Sequence, residues 1–139
     1  MNSFDVLTVS GSALEAQRRR MNVIASNLAN AQSTRNGEGE IEPYKRQEVV
    51  FATMPVSLGP GGMEGVKVVD IVNDGKLPRP LYDPGHPDAN AEGIVMMPNI
   101  NPMEEMVNMM MAFRAYEASV SAYNMSKNMM LKSLELGRS

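Results

Sequence analysis

Near the C-terminal end of the chain, apolar positions recur at spacings that alternate three and four: Met106, Met109, Phe113, Tyr116, Val120, Tyr123, Lys127, Met130 and Leu134. Eight of these nine are apolar or aromatic, a heptad seam kept up for four repeats. Such a seam predicts coiled-coil packing rather than a single amphipathic face on a small core. Asn101 is placed to cap this helix, Pro102 to open it, and Glu104 to reach back toward the cap. Lys132 sits near the last turns, and Gly137 can take a left-handed conformation just past the end. At the usual rise the helix would be about 50 Å long. The N-terminal segment repeats the period more weakly, through Phe4, Leu7, Gly11, Leu14, Arg18, Met21, Ala25 and Leu28. Gly11 and the polar set Asn22, Ser26, Asn27 and Asn30 lower its helix propensity, so this second helix is expected to depend on a partner.

Proline divides the chain. All nine prolines lie between Pro43 and Pro102, and nine of the eleven glycines fall between Gly37 and Gly93. Proline breaks helix interiors, so the order reads as helix, irregular or β-rich middle, helix. Two runs in the middle have strand character, Glu48 to Ala52 and the β-branched Val66 to Val72, with a turn at Ser57 to Gly62 between them. The expected class is α+β: an N-terminal helix over residues 1–32 and a C-terminal helix over 101–137 form an antiparallel, coiled-coil-like pair. A Pro/Gly-rich, β-rich insert at 33–100 lies between them.

Composition narrows what such a chain can do. At 139 residues, 43% hydrophobic and 21% charged, it fits one globular domain. Its longest apolar run, Met109 to Phe113, is far too short to cross a bilayer. Arg18, Arg19 and Arg20 follow the first apolar residues, with no long apolar core beyond them, so export by the general secretory route is not expected. A net charge of −3 argues against a nucleic-acid binder, and three consecutive arginines on a helix point about 100° apart instead of forming one basic face. Cysteine is absent, which removes disulfides, zinc–thiolate sites and thiol nucleophiles together.

Candidate chemistry centres on the one histidine. Asp83, His86 and Asp88 could hold a divalent metal with backbone carbonyls, which makes a small metal-dependent enzyme the alternative reading. Against it, Asp83-Pro84-Gly85-His86-Pro87 has the composition of a rigid turn, with two prolines, a permissive glycine and aspartates that bond their own backbone. No Gly-x-Ser-x-Gly motif is present, the histidine has no visible orienting partner, and Gly59 to Gly62 lack the lysine of a phosphate loop. No cofactor is expected.

The apolar stripes point elsewhere. Methionine outnumbers leucine fourteen to nine, and ten of the fourteen lie between Met96 and Met130. Met110, Met111, Met125 and Met129 point away from the seam, so this helix is apolar on more than one side. A small Pro/Gly-rich insert has little apolar surface to offer two long helices, so part of the stripes should face other chains. Methionine adapts to varied packing partners. These features describe an assembly protein.

Three blocks then resemble the bacterial flagellar basal-body rod proteins, and among them subunits of the proximal rod. Ala25-Ser26-Asn27-Leu28-Ala29-Asn30 is similar to the Asn-x-Ala-Asn signature that ends the N-terminal helix of rod and hook proteins. Tyr82-Asp83-Pro84-Gly85-His86-Pro87 resembles a second block, more specific to one kind of rod subunit, and Met97 to Met109 with Ala115 to Ala118 a third. The resemblance implies a non-enzymatic subunit of the periplasmic rod, in a helical tube with its terminal helices around the central channel. Its partners would be further copies, other rod proteins of the FlgB, FlgF, FlgG and FliE types, and the flagellar type III export apparatus. It would be exported without cleavage of a signal peptide and would bind neither nucleic acid nor a small-molecule substrate. The assembly interface is expected at Leu7, Leu14, Met21, Leu28, Met106, Met109, Phe113, Tyr116, Val120, Tyr123, Met130 and Leu134. Another axial subunit of the rod and hook family is the nearest alternative.

Overall fold

The structure is a computed structural model and describes residues 3–57 and 62–138. It is α+β: two long helices, α1 (Ser3–Ala29) and α2 (Pro102–Leu136), enclose in sequence the strands β1 (Gln47–Pro55), β2 (Glu64–Asn73), β3 (Arg79–Tyr82) and β4 (Ile94–Met97). The start of α2 is set by Asn101, whose side-chain oxygen accepts the Met103 amide at 3.1 Å while its carbonyl accepts that of Glu105 at 3.0 Å. The Met103 amide is one that the first turn leaves without an intrahelical partner, and the Glu105 amide makes the helix's first i to i−4 bond. At the other end of the insert, α1 is closed by Asn30: its backbone amide and its side-chain Nδ2 both donate to the Ser26 carbonyl, at 3.0 and 2.9 Å.

The strands pair as two sheets of two, β1 with β2 and β3 with β4. The first pair contains both runs expected from sequence, each extended by a few residues. Residues 58–61 of the turn expected between them lie outside the described residues. The second pair was not expected: the strand runs read in the sequence are those of the first pair, and β3 carries Pro80. In the structure β3 and β4 run antiparallel with Pro80 opposite Met96. A two-stranded sheet consists only of edge strands, the one place a ladder tolerates proline. Gly93 closes this hairpin: it has φ +76°, and a Cβ there would stand 3.0 Å from Pro84 Cγ and 3.1 Å from Tyr82 Cε2. Only glycine combines that backbone with that approach.

The chain divides into two compact units. One comprises Met1–Met21, Val49–Asp70 and Met110–Ser139; the other comprises Asn22–Glu48 and Ile71–Met109. The second unit has a core of ordinary kind, with Val23, Ile24, Val95, Met97 and Ile100 all buried. In the first unit the buried apolar side chains among the described residues are Ala16 and Ala112. There β2 lies against α1, with the Val66 amide donating to Ser12 Oγ at 3.1 Å and Gly65 so close that a Cβ would meet that oxygen at 2.6 Å.

Along α2, the buried and half-buried side carries small residues at heptad spacing, Ala112, Ser119 and Ser126, with Ala115 beside them. Five positions of the apolar seam read in the sequence, Met109, Tyr116, Val120, Tyr123 and Met130, are half-buried with them. Small side chains let a helix backbone approach its neighbours, and the larger methionines are left on the flanks. No helix among the described residues is long and apolar enough to cross a membrane.

Candidate functional site

The Asn-x-Ala-Asn signature sits in the second unit, and its first asparagine is fully enclosed. Asn27 is 0% exposed and Glu105 1%, so each polar atom must find a partner inside the protein. Asn27 Nδ2 donates to the Gln47 carbonyl at 2.9 Å and to Glu105 Oε2 at 3.2 Å. Asn27 Oδ1 accepts the Gln47 amide at 2.9 Å and the Tyr44 hydroxyl at 3.3 Å. Both donors and both acceptor positions of the carboxamide are thereby used. It grips the Gln47 peptide group as a neighbouring strand would, at the first residue of β1.

Glu105 completes the cluster through Arg46, whose Nε donates to Glu105 Oε1 at 2.6 Å. Arg46 also pairs with Glu48 and faces Asp74 at 3.6 Å. Burial works against its charge, yet the hydrogen bonds it donates to Glu105 and Glu48 outweigh it and hold the Arg46 pKa above its ordinary value. The Tyr44 hydroxyl is also pushed up, by burial and then by the Glu105 charge, so it stays a neutral donor. The end of α1, the start of α2 and the base of β1 are therefore tied by one polar clasp.

The Asp83 to Pro87 block is a turn. Asp83 Oδ1 accepts the Gly85 amide at 3.2 Å and the Asp83 carbonyl accepts that of His86 at 3.2 Å. Tyr82, Asp83, Pro84, Gly85 and Pro87 are exposed and His86 is half-buried. Asp88, the third member of the metal set considered from sequence, turns its carboxylate elsewhere. Oδ2 accepts Thr34 Oγ1 at 2.6 Å and Oδ1 accepts the Arg35 guanidinium, with Nε at 2.8 Å. His86 Nδ1 accepts the Asp88 amide at 3.0 Å. Among the described residues no three His, Cys, Asp or Glu side chains are gathered as a metal site.

The Arg35 and Thr34 hydrogen bonds hold the Asp88 carboxyl below its ordinary pKa, against the effect of burial. A lowered folded pKa means stabilisation that is present above the unfolded value and lost as pH falls through the folded one. Asp88→Asn should therefore destabilise the chain near pH 7, and its deficit against the parent should shrink below the ordinary carboxylate pKa of about 3.9. Urea midpoints of both proteins across that range would check this, and a deficit independent of pH would count against the pairing.

Of the expected interface residues, Leu7, Leu14, Met21, Leu28, Met109, Tyr116, Val120, Tyr123 and Met130 are half-buried, and Met106, Phe113 and Leu134 are exposed. In the first unit, Gly11, Leu14, Glu15 and Arg18 line a shallow depression of about 180 Å³, and Tyr116 of α2 lines it too. Those four stand at i, i+3, i+4 and i+7, the corners of a hole in knobs-into-holes packing. Both Arg18 and Arg19 bond Glu15, at 2.7 and 3.2 Å. Of the remaining signature residues, Ala29 is exposed and Asn30 half-buried at the helix end.

Sequence reasoning missed Arg46, Glu105, Tyr44, Thr34 and Arg35. Glu105 had a signal: it lies seven residues before Ala112, on the same line of small residues that faces inward. The others come from loops or strand ends, where no period marks a partner.

Comparison with known proteins gives the arrangement a context. Residues 7–36 match the family model described as flagella basal body rod protein, and residues 91–136 the one described as flagellar basal body rod FlgEFG protein C-terminal. A flagellar basal-body rod protein FlgC of Escherichia coli O6:H1 is 46% identical over 139 residues, covering 99% of this chain and 98% of the relative. The FlgC of Bacillus subtilis is 44% identical over 150 residues, covering 99% and 100%. That of Buchnera aphidicola from Schizaphis graminum is 39% identical over 137 residues, covering 99% of both.

Proposed function

Since this chain belongs to the FlgC family of flagellar basal-body rod proteins and is a structural subunit of that rod rather than an enzyme, we propose that it builds the proximal rod. Many copies would form a helical tube around the export channel and transmit motor torque. The observation that carries this reading is the apolar surface of α2. Met103, Met106, Val107, Met110, Met111 and Phe113 in one stretch, and Met125, Met129, Leu131, Leu134 and Leu136 in a second, are each at least half exposed, more exposed apolar side chains than a lone soluble subunit normally clusters on one helix. Neighbouring subunits would cover them.

In this reading residues 1–32 and 101–137 are the assembly core and 33–100 the insert. The terminal helices pack as an antiparallel, coiled-coil-like pair. The hole at Gly11, Leu14, Glu15 and Arg18, shared with Tyr116, supports that packing in the first unit; the Asn27–Glu105 bond supports it in the second. The twelve interface residues expected from sequence would be divided between this pairing and contacts to neighbours. The chain works in the flagellar basal body with other rod proteins. FlgB, FlgF, FlgG and FliE types would be those neighbours, the rod would stand in the periplasm, and the type III apparatus would export the chain with no signal peptide removed. A torque-bearing rod needs many weak contacts over a large area, and cooperation among copies substitutes for stability of the single chain.

Deleting the gene should stop flagellar assembly before the hook appears, with no hooks in electron micrographs and full rescue by the intact chain. Hooks and filaments on the deletion strain would overturn the assignment.

A further inference from the structure

The tip of the loop between α1 and β1 holds the chain's one Asn-Gly pair, Asn36-Gly37. Four hydrogen bonds fix the Asn36 carboxamide there. Its Oδ1 accepts the backbone amides of Glu38 and Glu40, both at 3.0 Å, and its Nδ2 donates to Glu40 Oε2 at 3.2 Å and to Glu42 Oε2 at 3.3 Å. Two amides aimed at one carbonyl oxygen are the arrangement that holds an oxyanion when a nucleophile adds to the carbonyl carbon. The amide nitrogen of Gly37, the next residue, is such a nucleophile once it loses its proton. Among the described residues nothing accepts its N–H. Gly37 is exposed, and the space where a Cβ would stand is empty, so no side chain stands over the nitrogen.

We propose that Asn36 is a self-modification site, deamidated by attack of the Gly37 nitrogen on its side-chain carbonyl carbon. Hydroxide takes the Gly37 amide proton, the N–Cγ bond forms, and the negative charge that develops on Oδ1 is held by the Glu38 and Glu40 amides. The Cγ–Nδ2 bond then breaks, and the nitrogen, protonated by water, leaves as ammonia from between the Glu40 and Glu42 carboxylates. Water opens the resulting succinimide ring to aspartate or isoaspartate. The product places a third carboxylate where an N–H donor now separates two, and like charges so close repel. Arg35 still ties this loop to Asp88, so the change loosens the tip and not the clasp around Asn27. The site lies on the insert, outside both terminal helices, and is independent of the rod reading.

The purified full chain, kept in heavy-oxygen water at fixed pH and temperature and followed by peptide mass spectrometry, tests this. Label should enter at Asn36 before any other asparagine. It should enter about tenfold faster in the folded chain than in the same chain unfolded in guanidinium chloride, because the fold alone presents the two amides together. An equal or lower rate in the folded chain overturns the proposal, and so does earlier label at another asparagine. Glu40→Pro deletes one of the two amides and should bring the folded rate most of the way down to the unfolded one. An unchanged rate, in a variant whose circular dichroism matches the parent, overturns the oxyanion role. Should that variant not fold, the comparison of folded with unfolded parent decides alone.

Discussion

Glu105→Ala should be the most damaging single change to the isolated protein, costing about 3 kcal/mol. Residue Glu105 is 1% exposed, and its carboxylate accepts from Arg46 at 2.6 Å and from Asn27 at 3.2 Å. Removing it leaves the Nε of a mostly buried guanidinium, which keeps its pairing with Glu48, and one Asn27 carboxamide hydrogen without a partner, and that uncompensated polarity, more than the lost attraction, sets the size of the effect. For a domain whose whole stability is about 5–15 kcal/mol, this is a large share. Glu105→Gln keeps the shape and part of the bonding and should cost about half as much. Replacing both partners, with Arg46→Met and Glu105→Leu, should recover most of the loss, since a well-packed apolar pair often equals a buried ion pair. Urea midpoints of the three variants measure this; a loss under about 1 kcal/mol for Glu105→Ala would remove the clasp from the account of stability.

The second large effect leaves the isolated chain intact. Met129 is 64% exposed on α2, so Met129→Asp should change stability by less than about 0.5 kcal/mol, as surface substitutions usually do. In the assembled rod the same carboxylate would be buried without a partner, at a cost of several kcal/mol per copy, repeated at every subunit. Swimming should be lost, with normal amounts of a normally melting protein. Swim-plate diameter, immunoblot and thermal melt read the three parts separately. Normal swimming, with Met125→Asp added as a second charge on the same flank, would place this side of α2 against solvent in the rod.

Both long helices were legible because their signals repeat: heptad spacing and interiors free of proline mark each, and the Asn101 cap with Pro102 marks the start of α2. Which side of α2 faces inward was harder to read. Hydropathy follows the large side chains, and here the inward side interleaves the small Ala112, Ser119 and Ser126 with larger half-buried residues such as Tyr116 and Tyr123. Of the seam residues expected at the interface, Met109, Tyr116, Val120, Tyr123 and Met130 are half-buried, while Met106, Phe113 and Leu134 stay exposed. The β3–β4 pair was hidden for a different reason. Pro80 carries a local veto that only tertiary context lifts, in a sheet with no interior strand. The Asp83–Pro87 turn was read correctly in composition, but Asp88 acquires its role from Thr34 and Arg35, more than fifty residues away in sequence. The assembly character was visible as a mismatch between apolar supply and enclosed volume, and it could not say which residue meets which.

The grip of Asn27 on Gln47 bears on how this lineage can drift. Where the first strand begins is decided by a side-chain amide holding both the carbonyl and the amide of one peptide unit, so the loop that joins them does not have to measure the distance. A change in the number of residues at the exposed tip, 37–39, would leave the register of the strand set by this grip, so each strand side chain would keep its face.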